Sequence, residues 1–403
     1  MMISARRKIG IFGNFGGGNL GNEGTLEAMV AFLRRVAPDA ELVCICADPK
    51  VVAQQHHIAA APFRWPRKQR ASFVTRIRAR LGDFTLTMSA VRGFDLLVVP
   101  GTGILDDFGE PPQGLPLTIF WVCLLARMRG MKICMVSIGA GPIRHRLSRW
   151  LMKRAAAMAH YRSYRDRVSK DFMQSLGLHV TQDEIYPDLA FNLPEPSGRL
   201  SEAATEPMIG VGVMAYGGWG VGRGEAREIY ETYIQKMTSF VLWLLDRGYR
   251  VRIFIGEDCD NRAVTDLTRS IAAAKKSFPP GRVHAEPASS LYDLMQQMLE
   301  TDVVVATRFH NVVCALKVGR PTVSLGYSKK NDALLAEMGL QQFCQHVETF
   351  DLDLLVRQVS QLLAERSRYV DLIRQGNLSL RERLRRQDKI LETRFVAASA
   401  PRS

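Results

Sequence analysis

Features that mark secreted, membrane-spanning and metal-binding proteins are scarce in this chain. Its seven cysteines, Cys44, Cys46, Cys123, Cys134, Cys259, Cys314 and Cys344, form no C-x-x-C pair, and most sit in apolar runs. There a thiol packs as a small hydrophobe, so reduced core cysteines are expected rather than a disulfide framework. No long apolar region with a cleavage site leads into the strand-like Ile9-Gly10-Ile11-Phe12, and export is not expected. The longest candidate for membrane insertion, Leu115 to Ala126, falls short of the roughly 20 residues a spanning helix needs. A cytoplasmic protein is the expectation, with basic helices suited to the inner face of a membrane. The eight histidines lack metal-ligand spacing, so no metal site is predicted. No Gly-Lys-Ser/Thr follows the glycine-rich segments, which argues against a Walker nucleotide loop.

Acidic residues are also in deficit: 54 Lys and Arg face 40 Asp and Glu, a net charge of +14. Such an excess attracts phosphates, carboxylates, nucleic acid or anionic lipid without choosing among them. The bases concentrate at Arg64 to Arg80, Arg144 to Arg154 and Arg366 to Lys389, and the first of these interleaves Trp65 and Phe73. Solvated helix faces would read the same way.

What remains is an ordinary folded composition, 47% hydrophobic and 23% charged over 403 residues, enough for two α/β domains. Short apolar runs alternate with helical patterns: Lys8 to Phe12, Glu41 to Ile45, Asp95 to Val99, Lys132 to Ile138, Tyr161 to Ser163 and Glu184 to Tyr186. The rhythm breaks at the proline-rich Leu193 to Pro207 and restarts with Met208 to Met214, Arg250 to Ile255, Val283 to Ala285, Val303 to Ala306 and Thr322 to Gly326. Alternation of this kind predicts parallel sheets with crossover helices. The expected fold is α/β, two tandem Rossmann-like lobes followed by a helical tail. Its parts are a first domain over 1–193, a linker over 194–207, a second domain over 208–350 and the tail over 351–403.

Three loops at expected strand ends carry candidate chemistry. After the first strand, Gly13 to Gly24 is rich in glycine, so backbone N–H groups can approach a ligand at a helix start. Gly16, Gly18 and Gly21 formally satisfy G-x-G-x-x-G with Asp48 near the second strand, but the first glycine is displaced from the strand end that a dinucleotide site requires. A tight turn and a substrate loop are the other readings. After Phe94 to Pro100 comes Gly101-Thr102-Gly103 with Asp106 and Asp107, where a carboxylate serves as a base, a sugar contact or a helix cap. After Val303 to Ala306, the turn Thr307-Arg308-Phe309-His310 opens a helix, joining a guanidinium, an imidazole and helix N–H groups in an anion-binding pattern.

Taken in order, these segments resemble the polysaccharide pyruvyl transferase family. Asn19-Leu20-Gly21-Asn22-Glu23-Gly24 resembles its N-x-G-D-E-A pattern, and Gly101-Thr102-Gly103 with Asp107 its second glycine motif. Ile138-Gly139-Ala140-Gly141-Pro142-Ile143, Arg165-Asp166-Arg167-Val168-Ser169 and Pro187-Asp188-Leu189-Ala190-Phe191 follow, each similar to a family segment. Thr307-Arg308-Phe309-His310 matches R-x-H, with Gly319 to Pro321 and Tyr327 to Lys329 after it. Asn22 stands where the family commonly has Asp, Gly24 where it has Ala, and Phe309 where it usually has Leu.

The resemblance implies a glycosyltransferase-B-like fold and transfer of pyruvate from phosphoenolpyruvate to two hydroxyls of one sugar, giving a cyclic ketal and phosphate. It implies no cofactor, no metal and no nucleic-acid partner. On it, the first domain takes the sugar acceptor, free or lipid-linked, and the second the donor. His310 is the implied general acid or donor-positioning residue, with Asp107 or Glu23 as base and acceptor contact. Arg308, Arg165 and Lys329 are the implied anion contacts, and Asn19, Gly21, Asn22, Gly101, Thr102, Gly103 and Thr307 shape the site. A nucleotide-sugar glycosyltransferase, a nicotinamide-dependent dehydrogenase and a non-catalytic glycan-binding homologue are the competing readings.

Overall fold

The computed structural model describes residues 7–63, 82, 85–86, 88–107, 109–197, 206–219, 221–274, 279 and 281–397. The basic segment Arg64 to Arg80 lies outside the described residues, as does much of the expected linker. Packing divides the chain into two units: Met1–Gly18, Thr25–Leu189 and Glu382–Ser403 form the first, Asn19–Gly24 and Ala190–Arg381 the second.

The first unit holds β1 (Lys8–Phe12), β2 (Glu41–Cys46), β3 (Ala59–Pro62), β4 (Leu96–Pro100), β5 (Lys132–Ile138), β6 (Tyr161–Tyr164) and β7 (Glu184–Ile185). They make one seven-stranded sheet in the order β3-β2-β1-β4-β5-β6-β7, every pairing parallel. Its crossover helices are α1 (Leu20–Val36), whose first turn through Gly24 belongs to the second unit, α2 (Pro49–His56), α3 (Leu115–Met128), α4 (Arg146–Ala157) and α5 (Arg167–Ser175). β4 is buried along its whole length, as expected of a central parallel strand covered by helices on both faces. Phe12, Ile45, Leu97, Val99, Ile119, Val122, Ile133 and Met135 lie in the core around it.

In the second unit, β8 (Met208–Gly212), β9 (Arg250–Phe254), β10 (Val283–His284), β11 (Val303–Ala306), β12 (Thr322–Gly326) and β13 (Cys344–His346) form a six-stranded sheet, β10-β9-β8-β11-β12-β13. It too is parallel throughout. Its helices are α6 (Arg223–Asp246), α7 (Asn261–Ala273), α8 (Leu291–Met298), α9 (Phe309–Lys317), α10 (Lys329–Glu337) and α11 (Leu352–Ala364), followed by α12 (Arg366–Leu391). Both sheets therefore have the doubly wound order of a Rossmann fold, with a switch point between β1 and β4 in one and between β8 and β11 in the other. Ligands of open α/β sheets bind outside the carboxyl ends of the strands at such points.

Each unit receives part of the helical tail through buried polar contacts. In the first unit the fully buried Gln387 donates to Ser163 Oγ at 2.8 Å and accepts from Ser137 Oγ at 3.1 Å. In the second, Asn377 Nδ2 donates to the carbonyls of Leu316 and Lys317 at the end of α9. No helix among the described residues is long and apolar enough to cross a membrane.

Candidate functional site

β11 ends at the switch point of the second unit, and the next residues turn directly into α9. Thr307 is fully buried; its N–H donates to Gly212 O at the end of β8, and its hydroxyl pairs with Tyr233 Oη at 3.0 Å. Its side chain thus fixes the turn from beneath. Arg308 is the N-cap residue of α9, with extended backbone and no side-chain cap. By contrast α2, α5, α8 and α11 are capped by Asp48, Asp166, Ser290 and Asp351. The positive end of α9 is therefore presented without a capping side chain.

The Arg308 guanidinium is clamped rather than extended. Nε and Nη2 donate to the two oxygens of Asp260 at 2.9 and 2.8 Å, and Nη1 lies 2.6 Å from Glu257 Oε2. Asp260, itself fully buried, also accepts from the backbone N–H groups of Ala215 and Gly256. Burial opposes the charge on Arg308, but the bonds to Asp260 and the carboxylates of Asp260 and Glu257 outweigh it and hold its pKa above the ordinary value. Removal of this carboxylate as Asp260→Ala leaves a buried guanidinium half-paired and two amides without acceptors. It is expected to destabilise the protein by about 3–5 kcal/mol, visible as a lower urea midpoint; an unchanged midpoint would contradict the role given to Asp260.

Against this turn lies the first glycine motif. Asn19 begins α1, its side chain accepting from Asn22 N at 3.2 Å; it forms a bridge with Glu257, and Leu20 N donates to Gly256 O at 3.1 Å. At Gly21 a Cβ would fall 1.9 Å from His310 Nδ1, so the imidazole occupies the space a side chain would fill. At Gly24 a Cβ would meet Leu291 Cδ1 at 2.3 Å, which explains glycine where the family has alanine. Asn19, Gly21, Asn22 and Glu23 are thus brought to the element that carries Arg308 and His310. Lys329 is exposed at the start of α10. Beside it, the Tyr327 ring stacks on Tyr216 with centroids 6.0 Å apart and contacts Trp219, whose indole is 48% exposed.

The first unit carries a second assembly of motif residues. Gly101 lies so close to β5 that a Cβ would meet Ser137 O at 2.4 Å, and Thr102 O accepts from Gly139 N at 2.7 Å. Arg165 stretches over Gly139, where a Cβ would fall 2.9 Å from its Nε, and donates to Asp188 at 3.1 Å with Asp166 close by. Three segments separate in sequence therefore meet in one buried ion-paired cluster. Asp107 is buried as well; one oxygen accepts from Gly109 N at 3.2 Å and the other from Arg144 N at 2.8 Å. Its carboxylate ties together the loops after β4 and β5 by accepting from backbone amides.

Sequence reasoning missed Asp260, Glu257 and the buried Tyr233. The signal for the first two was present, since Glu257-Asp258-Cys259-Asp260 follows directly on the end of β9, at the same sheet edge as Arg308.

The two parallel sheets with this strand order define a glycosyltransferase-B-like α/β protein, and solved structures agree. A putative UDP-N-acetylglucosamine 2-epimerase from Listeria monocytogenes superposes with TM-score 0.63 at 11% identity, covering 99% of each chain. HepE of Anabaena, solved in complex with UDP and glucose, gives 0.60 at 12% identity, covering 98% of this chain and 100% of that one. A glycosyltransferase from Rickettsia africae gives 0.59 at 10% identity, covering 96% and 100%. At such identities the likeness is one of fold. No curated protein sequence matches the chain. Residues 19–329, most of the chain, match the polysaccharide pyruvyl transferase family. The chain belongs to that family and is a transferase.

Proposed function

We propose that the protein transfers pyruvate from phosphoenolpyruvate to two hydroxyls of one sugar in a polysaccharide or lipid-linked glycan. The observation that carries this reading is the packing of the Asn19–Gly24 motif against the Arg308–His310 turn at the switch point of the second unit. The donor bears a phosphate and a carboxylate. Arg308, the uncapped start of α9 and Lys329 supply cationic and N–H partners for them, with Glu257 yielding its place on Nη1 to a donor anion. His310 delivers the proton to the methylene carbon of the enol, which becomes the methyl group and leaves an oxocarbenium-like centre at C2. One sugar hydroxyl adds to that centre. The second displaces phosphate by breaking its bond to C2; one hydroxyl proton balances the new C–H bond and the other leaves on phosphate.

For the hydroxyl base we favour Glu23, which belongs to the motif seated beside His310, over Asp107, whose two oxygens are engaged by backbone amides. Arg165 serves as an organiser of the first unit through Asp188. The indole of Trp219 offers a flat face to a sugar ring. Since phosphoenolpyruvate is a cytoplasmic metabolite, the reaction is placed on the cytoplasmic side.

The test is phosphate release from phosphoenolpyruvate with a panel of hexose and N-acetylhexosamine glycans, free and lipid-linked. Release that requires an acceptor, together with a pyruvate ketal in the product by mass and NMR, is expected. Absence of acceptor-dependent release, with thermal stabilisation by nucleotide sugars instead, would overturn it.

A further inference from the structure

Of the seven large hydrophobic side chains exposed among the described residues, three lie on two neighbouring helices of the first unit: Met128 at 74%, Leu147 at 50% and Trp150 at 49%. α3 buries Leu115, Ile119, Val122, Cys123 and Ala126 against the sheet. Its other side carries Leu117, Phe120, Trp121, Leu124 and Met128, spaced at helical intervals and only partly covered. The Phe120 ring reaches across to Trp150 of α4, with centroids 5.6 Å apart, so the two helices present one continuous apolar strip. Ordinary solvent-facing helices do not look like this.

The charged residues of both helices have one sign. α4 buries Leu151, Met152, Ala155 and Ala156 and turns Leu147 and Trp150 outward, and its charged residues are Arg146, Arg149, Lys153 and Arg154, with no acid among them. α3 likewise contains no acid. The Arg154 guanidinium lies over the Trp150 ring, 5.7 Å from its centroid, an arrangement in which the ring enters an interface while the cation meets its charged layer.

We propose that this face of α3 and α4 docks on an anionic phospholipid surface. Trp150, Leu147 and Met128 enter the headgroup boundary, and Arg146, Lys153 and Arg154 meet lipid phosphates. An amphipathic face with Trp and Leu between Arg and Lys is the signature of interfacial binding, and opposite charge selects anionic lipid over a soluble apolar partner. The inference is independent of the donor and acceptor proposed above, because docking needs neither.

The test is co-sedimentation of the full chain with vesicles of phosphatidylcholine alone or mixed with phosphatidylglycerol. Binding to the mixed vesicles only, weakened by salt, is expected. Arg146→Ser with Arg154→Ser should weaken partitioning by about fivefold for each base removed, and Leu147→Ser with Trp150→Ser should lower it further at unchanged thermal midpoint. Because the arginine pair is solvent-facing, it tests the face even where the apolar pair unfolds the protein. Equal sedimentation of variants and wild type would overturn the proposal, as would no binding to either vesicle. So would a wild-type dimer without vesicle binding that Trp150→Ser converts to monomer, since a second copy would then cover the strip.

Discussion

Arg308→Ala is expected to lower kcat/KM for acceptor-dependent phosphate release by about a thousandfold, and Arg308→Lys to restore little of it. The reason is geometric. Asp260 holds Nε and Nη2 at 2.9 and 2.8 Å, which fixes the plane of the guanidinium and directs Nη1 to the position now taken by Glu257. Loss of a preorganised donor to a developing anion typically costs on the order of 100–1000-fold in rate, and in the proposed site the charge that would bind the ground-state donor is lost too. A lysine ammonium is a compact charge that cannot satisfy both oxygens of Asp260 while presenting a further fixed N–H outward. Glu257→Gln should act in the opposite direction: it keeps the shape, removes the competing anion and lowers KM for phosphoenolpyruvate by about fivefold, the upper end for a partly exposed ion pair. Steady-state assays of the three variants, with unfolding midpoints as folding controls, decide the matter. Wild-type kcat/KM in Arg308→Ala would remove Arg308 from the donor site.

How far the sequence discloses this arrangement depends on the range of the interaction concerned. β4 and β11 are legible because a strand buried on both faces must be a short apolar run, and Leu96 to Val99 and Val303 to Ala306 are such runs. β3 is not, since Ala59-Ala60-Ala61-Pro62 has neither β-branched nor aromatic residues; it pairs at the edge of its sheet, where proline is tolerated. β13, three residues long, also pairs only at an edge. Asp48, placed by spacing near a hypothetical ribose, caps α2 by accepting from Lys50 N and Val51 N.

At the site the same division holds. Strand ends and a helix start mark Thr307 to His310 as a candidate anion-binding turn, because those features are local. That Arg308 is held by Asp260, 48 residues away, or that Gly139 must lack a side chain because Arg165 lies on it, follows only from tertiary packing. Family resemblance supplied the motifs in order; the physical reason for several of them is this close approach of backbone to a charged or aromatic group.

Gly21 is the sharpest instance, and Gly21→Ala should reduce pyruvyl transfer by about a hundredfold. The added methyl would lie 1.9 Å from Nδ1, 2.3 Å from Cγ and 2.4 Å from Cε1 of His310, far inside contact distance, so the imidazole or the first turn of α1 must move. The turn is anchored by Leu20 N to Gly256 O and by Asn22 N to Asn19, which leaves the ring as the part to be displaced. In the proposed role of His310, a displacement of about 1 Å costs rate on this scale, while the overpacking costs about 1–3 kcal/mol of stability. Helix propensity works the other way, since alanine is favoured over glycine by up to about 1 kcal/mol within a helix. A double-mutant cycle separates the two effects. In a His310→Ala background the clash is gone, so Gly21→Ala should cost nothing or stabilise slightly in chemical denaturation. An equal loss of stability in both backgrounds would mean that His310 does not occupy the space above Gly21, and the assembly of the first motif on the R-x-H turn would fail with it.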